Sequence, residues 1–325
     1  MSRSIVLSNG ELCVALDHFG EVRDIYYPHV GQEDHVRGHY VHRVGVWVNG
    51  TMSWLSDDPA WEITIECEEE SLESLITARH PHLDVELVFR DVVSNEKTIF
   101  LRRVTVSNVS TEPREIKVYF AQQFEIYKAH GGDTAYFDPI SHSVIHYKGR
   151  RVFLISASID GEVFSDYATG LSNVQGREGS HRDADDGVLS KNPIEHGQVD
   201  SVIGLYAQYA PHQSRVIHYV LCAAHSVADA LALNQYTIEK NPEHLLHATT
   251  DFWKAWLHTY PRAFHGLSSE QIALFNTSLM YVRAHVDVEG GIIASVDSDM
   301  LSQGMDTYSY VWPRDAAFGV FALDL

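Results

Sequence analysis

Tyr308, Tyr310, Trp312, Arg314 and Asp315 place two tyrosines, a tryptophan, a guanidinium and a carboxylate within one short run, Tyr-Ser-Tyr-Val-Trp-Pro-Arg-Asp. An Arg beside an Asp is a fixed donor next to a fixed acceptor, which is what vicinal hydroxyls require. Flat aromatic rings cover the apolar C–H face of a sugar. These residue types therefore point to recognition of a polyhydroxylated ligand. A structural reading competes with it: Pro313 suits the first position of a helix, and a buried Arg–Asp pair would fasten that helix start.

Other clusters carry less. His29, His35, His39 and His42 lie close together, and the steps from 35 to 39 to 42 would suit metal ligation on a helix. Gly31, Gly38 and the Tyr26-Tyr27-Pro28 run argue for a solvated loop instead, with no Cys nearby. His80-Pro81-His82 reads as a plain turn. Asp183, Asp185, Asp186 and Gly187 do not make a calcium loop. Counting back from Gly187 puts Arg182 at the first ligand position and Ala184 at the third. Glu68-Glu69-Glu70 reads as an exposed turn. Cys13, Cys67 and Cys222 are odd in number and widely spaced, so they are expected as buried small hydrophobes. No metal site and no cofactor is expected.

The elements that must position these residues change character along the chain. In 325 residues, 45% hydrophobic, there is ample material for a large core. The formal charge, 24 − 44 = −20, argues against nucleic acid or an anionic membrane as partner. The start MSRSIVLSNGEL has no apolar run of signal-peptide type, and no stretch approaches the ~20 apolar residues of a span, so a cytoplasmic protein is expected.

Residues 1–225 read as β. Val85, Leu87 and Phe89 alternate with neighbours of opposite face, as do Ile116, Val118 and Phe120. Further strands are expected over 44–48, 63–67, 100–107, 152–159, 201–209 and 216–223. Asn49-Gly50, the run from Asn108 to Pro113 and Lys148-Gly149 read as hairpin punctuation. Strands with no helix between them predict an antiparallel sandwich, and the length favours a large supersandwich.

From Ser226 the pattern is helical. Ser226 and Asn241-Pro242 read as N-caps, and Ser268 with Gln271 as a capping box. Leu245, Phe252 and Trp256 are expected to share one face of the second helix, with Leu246 and Trp253 beside them, ending at Tyr260-Pro261. Ile272, Phe275, Leu279 and Val282 form the stripe of the third. The run FGVFALDL ends in an apolar segment without a cap, which predicts a longer natural protein.

The stretch GGIIASVDSD, Gly290 to Asp299, and the run DTYSYVWPRDAAF, Asp306 to Phe318, resemble the first conserved region of glycoside hydrolase family 15, which holds glucoamylases, glucodextranases and some trehalases. The stretch from Ser8 to Val36 resembles the start of its prokaryotic members. The resemblance implies a mainly β fold. A β-supersandwich over 1–225 is followed by a helical linker over 226–265. The first helices of an incomplete α/α barrel then occupy 266–325.

It further implies that Arg314 and Asp315 bind hydroxyls of a terminal glucose, that Tyr308 lies beside the anomeric centre and that Trp312 walls the pocket. Pro313 stands where some members have Thr. The family's two catalytic Glu residues belong to later barrel helices, so no catalytic residue is assigned here and this chain alone is expected to be inactive. The implied ligand is an α-glucoside or a trehalose-like sugar. The alternatives are a trehalase of the same family, or a non-catalytic binding module, which an exposed row of Trp47, Trp54 and Trp61 would favour; core or interdomain packing is the expectation for those three. The apolar faces of the C-terminal helices are expected to drive self-association or to leave the C-terminus disordered in the isolated chain.

Overall fold

The computed structural model describes residues 3–36, 42–129, 131–260, 262–300 and 308–324. His39, Pro261 and the Asp306-Thr307 start of the aromatic motif lie outside the described residues.

The chain is mainly β, and its strands form three antiparallel sheets. β1 (Ile5–Ser8), β2 (Cys13–Leu16) and β3 (Val22–Tyr26) make a small one. The second runs in the order β15 (Asp166–Leu171), β17 (Val199–Tyr209), β10 (Arg114–Gln123), β4 (Arg43–Val48), β5 (Thr51–Trp54). The largest runs β16 (Ile194–Gly197), β11 (Asp133–Asp138), β12 (Ser143–Lys148), β13 (Arg151–Ile159), β18 (Ser214–Ala224), β9 (Ile99–Asn108), β8 (Val85–Val93), β7 (Ser74–His80), β6 (Glu62–Cys67), with β14 (Glu162–Val163) beside β13.

The two larger sheets face each other over one core. Ile116, Val118 and Phe120 of β10 pack there with Leu87 and Phe89 of β8 and with Phe153 and Ile155 of β13. Alternation puts the intervening residues on the opposite faces. Tyr119 and Ala121 turn outward to a second cluster with Trp54, Ala184 and Leu189. On the largest sheet, Leu101, Val152, Leu154, Val220 and Cys222 turn to a third, which two helices cover.

Those helices are α1 (Val227–Lys240) and α2 (Pro242–Leu257). Ser226 caps the first through Asp229 N, and Asn241 caps the second through Glu243 N with Pro242 in the first turn. α3 (Ser269–Ala284) carries the full capping box of Ser268 and Gln271. α4 (Pro313–Leu323) has no buried residue.

Several expectations are corrected. The run from Asn108 to Pro113 is not a hairpin: it carries the chain from β9 in the largest sheet to β10 in the second. Asn49-Gly50 does close one, between β4 and β5, with φ of 50° and 91° as a two-residue turn of that kind requires. On α2, Leu245, Leu246, Trp253 and Leu257 are buried and Trp256 packs partly buried against the core, but the expected Phe252 is exposed. Trp54 and Trp61 are buried and Trp47 half-buried, as the expected core packing requires, and the three make no exposed row.

The His-rich stretch is not a solvated loop at its described ends. His35 is buried and donates from Nε2 to the Tyr27 carbonyl at 2.8 Å. His42 is buried edge-on to Phe124, and burial pushes its pKa down to about 3. Of the His80-Pro81-His82 turn, His80 is buried against Asp58 at 3.0 Å, while Pro81 and His82 are exposed. Cys13 and Cys222 are buried and Cys67 half-buried, all as free thiols. Among the described residues no helix is long and apolar enough to cross a membrane.

Candidate functional site

Trp312 is the N-cap of α4 and Pro313 opens it, so Arg314 and Asp315 fall in its first turn. A carboxylate there is favoured by the helix dipole. Arg314 Nε lies 3.2 Å from Asp315 Oδ1, and the Arg314 side chain is 81% exposed. The pair is therefore not the buried fastening that the structural reading requires. Tyr308 and Trp312 are also exposed, with Tyr310 and Val311 between them. All four candidate residues thus lie on one solvent-facing segment, and of them only Arg314 and Asp315 are joined by a side-chain contact. Nothing among the described residues encloses them.

The segment is anchored through its backbone. Ser295 N donates to the Tyr308 carbonyl at 3.1 Å and Ala294 N to that of Tyr310 at 3.2 Å. The buried Ile293 and Val296 tie this partner strip to the core. Gly31, at φ +88°, lies so close that a Cβ there would come within 2.7 Å of the Ser309 carbonyl oxygen and 2.8 Å of Ile293. A cleft of about 490 Å³ opens at this junction, lined by Val30, Gly31, Asp287, Ile293, Ser309 and Tyr310 among others. None of the four candidate residues lines it.

The chain over 287–299, which contains the GGIIASVDSD stretch, is held by the N-terminal residues. Asp287 Oδ1 accepts from Val30 N at 3.1 Å, and Val288 N donates to the Gly10 carbonyl at 3.1 Å. Tyr26 Oη donates to the Val296 carbonyl at 3.0 Å. Arg3 is the hub. Its guanidinium pairs with the fully buried Asp24, reaches Asp299 at 2.9 Å and Asp297 at 3.4 Å, and donates to Ser298 Oγ at 3.3 Å. Ser298 Oγ in turn bonds Asp24. Burial pushes the Asp297 carboxyl above the usual range. Burial works the same way on Asp299 and is the largest single influence, but the hydrogen bond and the charge of Arg3, with smaller contributions, together outweigh it and the net shift is downward.

Sequence reasoning missed Arg3, Asp24 and Asp287. The signal available was the Asp297-Ser298-Asp299 cluster before the motif, whose cation lies at the other end of the chain. Among the described residues, no group of three or more His, Cys, Asp or Glu side chains is arranged to hold a metal ion. The acidic loop of Asp183, Asp185 and Asp186 forms a short helical turn with largely exposed carboxylates.

With this geometry the chain can be set against known proteins. No family model matches it. It is 23% identical over 328 residues to an uncharacterized glycosyl hydrolase of Methanocaldococcus jannaschii, an alignment covering 98% of this chain and 50% of that protein. The solved structure of a bacterial glucoamylase complexed with acarbose superposes with a TM-score of 0.75 over 97% of this chain and 46% of its own, at 15% identity. The chain has a fold of the glycosidase type. It spans about half the length of the relatives it matches.

Proposed function

We propose that this chain is part of an inverting, exo-acting α-glucosidase of glycoside hydrolase family 15, glucoamylase-like, that releases terminal α-linked glucose. The observation that carries the reading is the exposed segment 308–315. Among the described residues its Arg–Asp pair has no other side-chain partner, so both groups are available for hydroxyls, and Tyr308 and Trp312 are exposed on the same segment.

In this reading Arg314 and Asp315 orient the terminal sugar by hydrogen bonds, Trp312 covers its C–H face and Tyr308 flanks the anomeric carbon. Inversion needs a general acid and a general base roughly 6.5–9.5 Å apart, with a water between base and sugar. We assign both to residues outside this sequence, which is consistent with the half-length match to the relatives. The chain divides in this proposal into a supersandwich over 1–225, a linker over 226–265 and the opening of an α/α barrel over 266–325. The exposed Phe318, Val320 and Phe321 of α4 then pack within the completed barrel, and in the isolated chain they promote self-association.

The test is glucose release from maltose, maltotetraose, soluble starch and trehalose, comparing this chain with one extended to the end of its gene. Activity only in the extended protein supports the reading, with starch or trehalose preference separating glucoamylase from trehalase. Inactivity of both overturns it.

A further inference from the structure

A second concave site lies on the outer face of the largest sheet, where that face runs out from under α1 and α2. Its volume is about 490 Å³, within the range of small-molecule sites. Strands β13 and β18 contribute Ser156, Ser158 and His218, and the helices contribute Asn234, Ile238 and Glu243. None of its lining residues belongs to the segment 308–315 or to the residues that anchor it.

Asn234 is the informative side chain. It is only 4% exposed, and its Oδ1 accepts from Ser156 Oγ at 2.7 Å. That orientation leaves the amide NH2, which carries two donors, without a protein acceptor and facing the cleft. The amide nitrogen is not among the fully enclosed side-chain atoms that lack a partner, so it is open to the cleft and can bond water or a ligand there. The carboxylates at the rim are already neutralised. Glu243 takes Arg103 at 2.7 Å and His218 at 3.0 Å, and Asp160 takes Arg215 at 2.6 Å. Val163, Val216, Val220, Ile238 and Pro242 supply aliphatic wall between the polar groups. Neutral donors on an aliphatic wall, with both rim carboxylates paired, suit a neutral ligand that offers hydroxyl acceptors and C–H faces.

We propose that this cleft binds a neutral, hydroxyl-rich ligand of mono- or disaccharide size, independently of the segment 308–315. The inference does not rest on the hydrolase reading, because it concerns equilibrium binding by this chain alone.

The experiment is a maltose titration of the 15N-labelled chain, following backbone and side-chain amide resonances. The expected result is saturable shifts at Ser156, Ser158, His218 and the Asn234 side chain. Asn234→Ala is expected to weaken this binding by about tenfold or more. Because that change also removes the Ser156 bond, Ser158→Trp is the second variant: it fills the cleft from the strand side and is expected to abolish the shifts while the rest of the spectrum stays folded. Absence of saturable shifts at these four residues overturns the proposal. So does maltose binding that survives in folded Ser158→Trp, or shifts confined to residues 308–315.

Discussion

Arg3 and Asp299 are 296 residues apart in the chain and 2.9 Å apart in space. The same guanidinium neutralises Asp24, whose side chain is completely buried. One cation thus joins the first strands to the stretch that leads into the aromatic motif. Arg3→Met would leave Asp24 as an uncompensated buried charge, a change that typically costs about 3–5 kcal/mol. Urea unfolding should show a loss of that size, and hydrogen exchange at residues 295–299 should quicken beyond the global change. Unaltered exchange there would mean that the pair does not hold the stretch.

Gly31 gives a sharper test of the same junction. Its positive φ and its contact with the Ser309 carbonyl leave no room for a methyl group. Gly31→Ala should cost about 1–3 kcal/mol. It should also expose the amides of Ala294 and Ser295 to exchange, since the Tyr308 and Tyr310 carbonyls that hold them must move away.

Stability should respond to pH through two buried groups of opposite sign. Burial raises Asp200 from 3.8 to about 6, and its Oδ1 has no hydrogen-bond partner. Its contribution is full below the unfolded value and is lost as pH rises through 6, so Asp200→Asn should gain about 2–3 kcal/mol relative to wild type between pH 4 and pH 8. The new amide oxygen can still accept from Ser180 N. Burial lowers His146 from 6.5 to about 3. Its contribution is full above 6.5 and is lost as pH falls toward 3, so His146→Gln should flatten the acid limb of the stability curve.

The candidate residues should separate folding from function. Arg314 and Trp312 are exposed, and an adjacent-residue ion pair in water adds little. Arg314→Ala and Trp312→Ala should each change stability by no more than about 0.5 kcal/mol. Under the proposed hydrolase reading, either should lower kcat/KM of the extended protein by about a hundredfold. A variant that unfolds the chain would instead make these residues structural.

Period-2 patterns such as Val85-Leu87-Phe89 announce strands because side-chain direction is a local property. Caps at Ser226, Asn241 and Ser268 are equally local and equally readable. Which strands pair is not local: the Asn108-to-Pro113 turn has hairpin residues but changes sheets. The depth of His35, His42 and His80 was hidden for a related reason. Imidazole is polar in composition, yet it becomes a core residue when a carbonyl, a ring or a carboxylate from elsewhere completes it. The aromatic motif could be read as a candidate, whereas its anchor Arg3 carried no mark of its partner.

The double-sided burial of β13 has a consequence for how this chain finds its alignment. Val152 and Leu154 face the helices while Phe153 and Ile155 face the opposite sheet. Sliding this strand by one residue would exchange apolar for apolar, so hydrophobicity alone does not forbid the slip. The penalty comes at the other end of the strand. There a shift would drive Ser156 and Ser158 into the core and turn Ala157 and Ile159 toward the open cleft. The serines that line the cleft are thus also the marks by which the central strands keep their place.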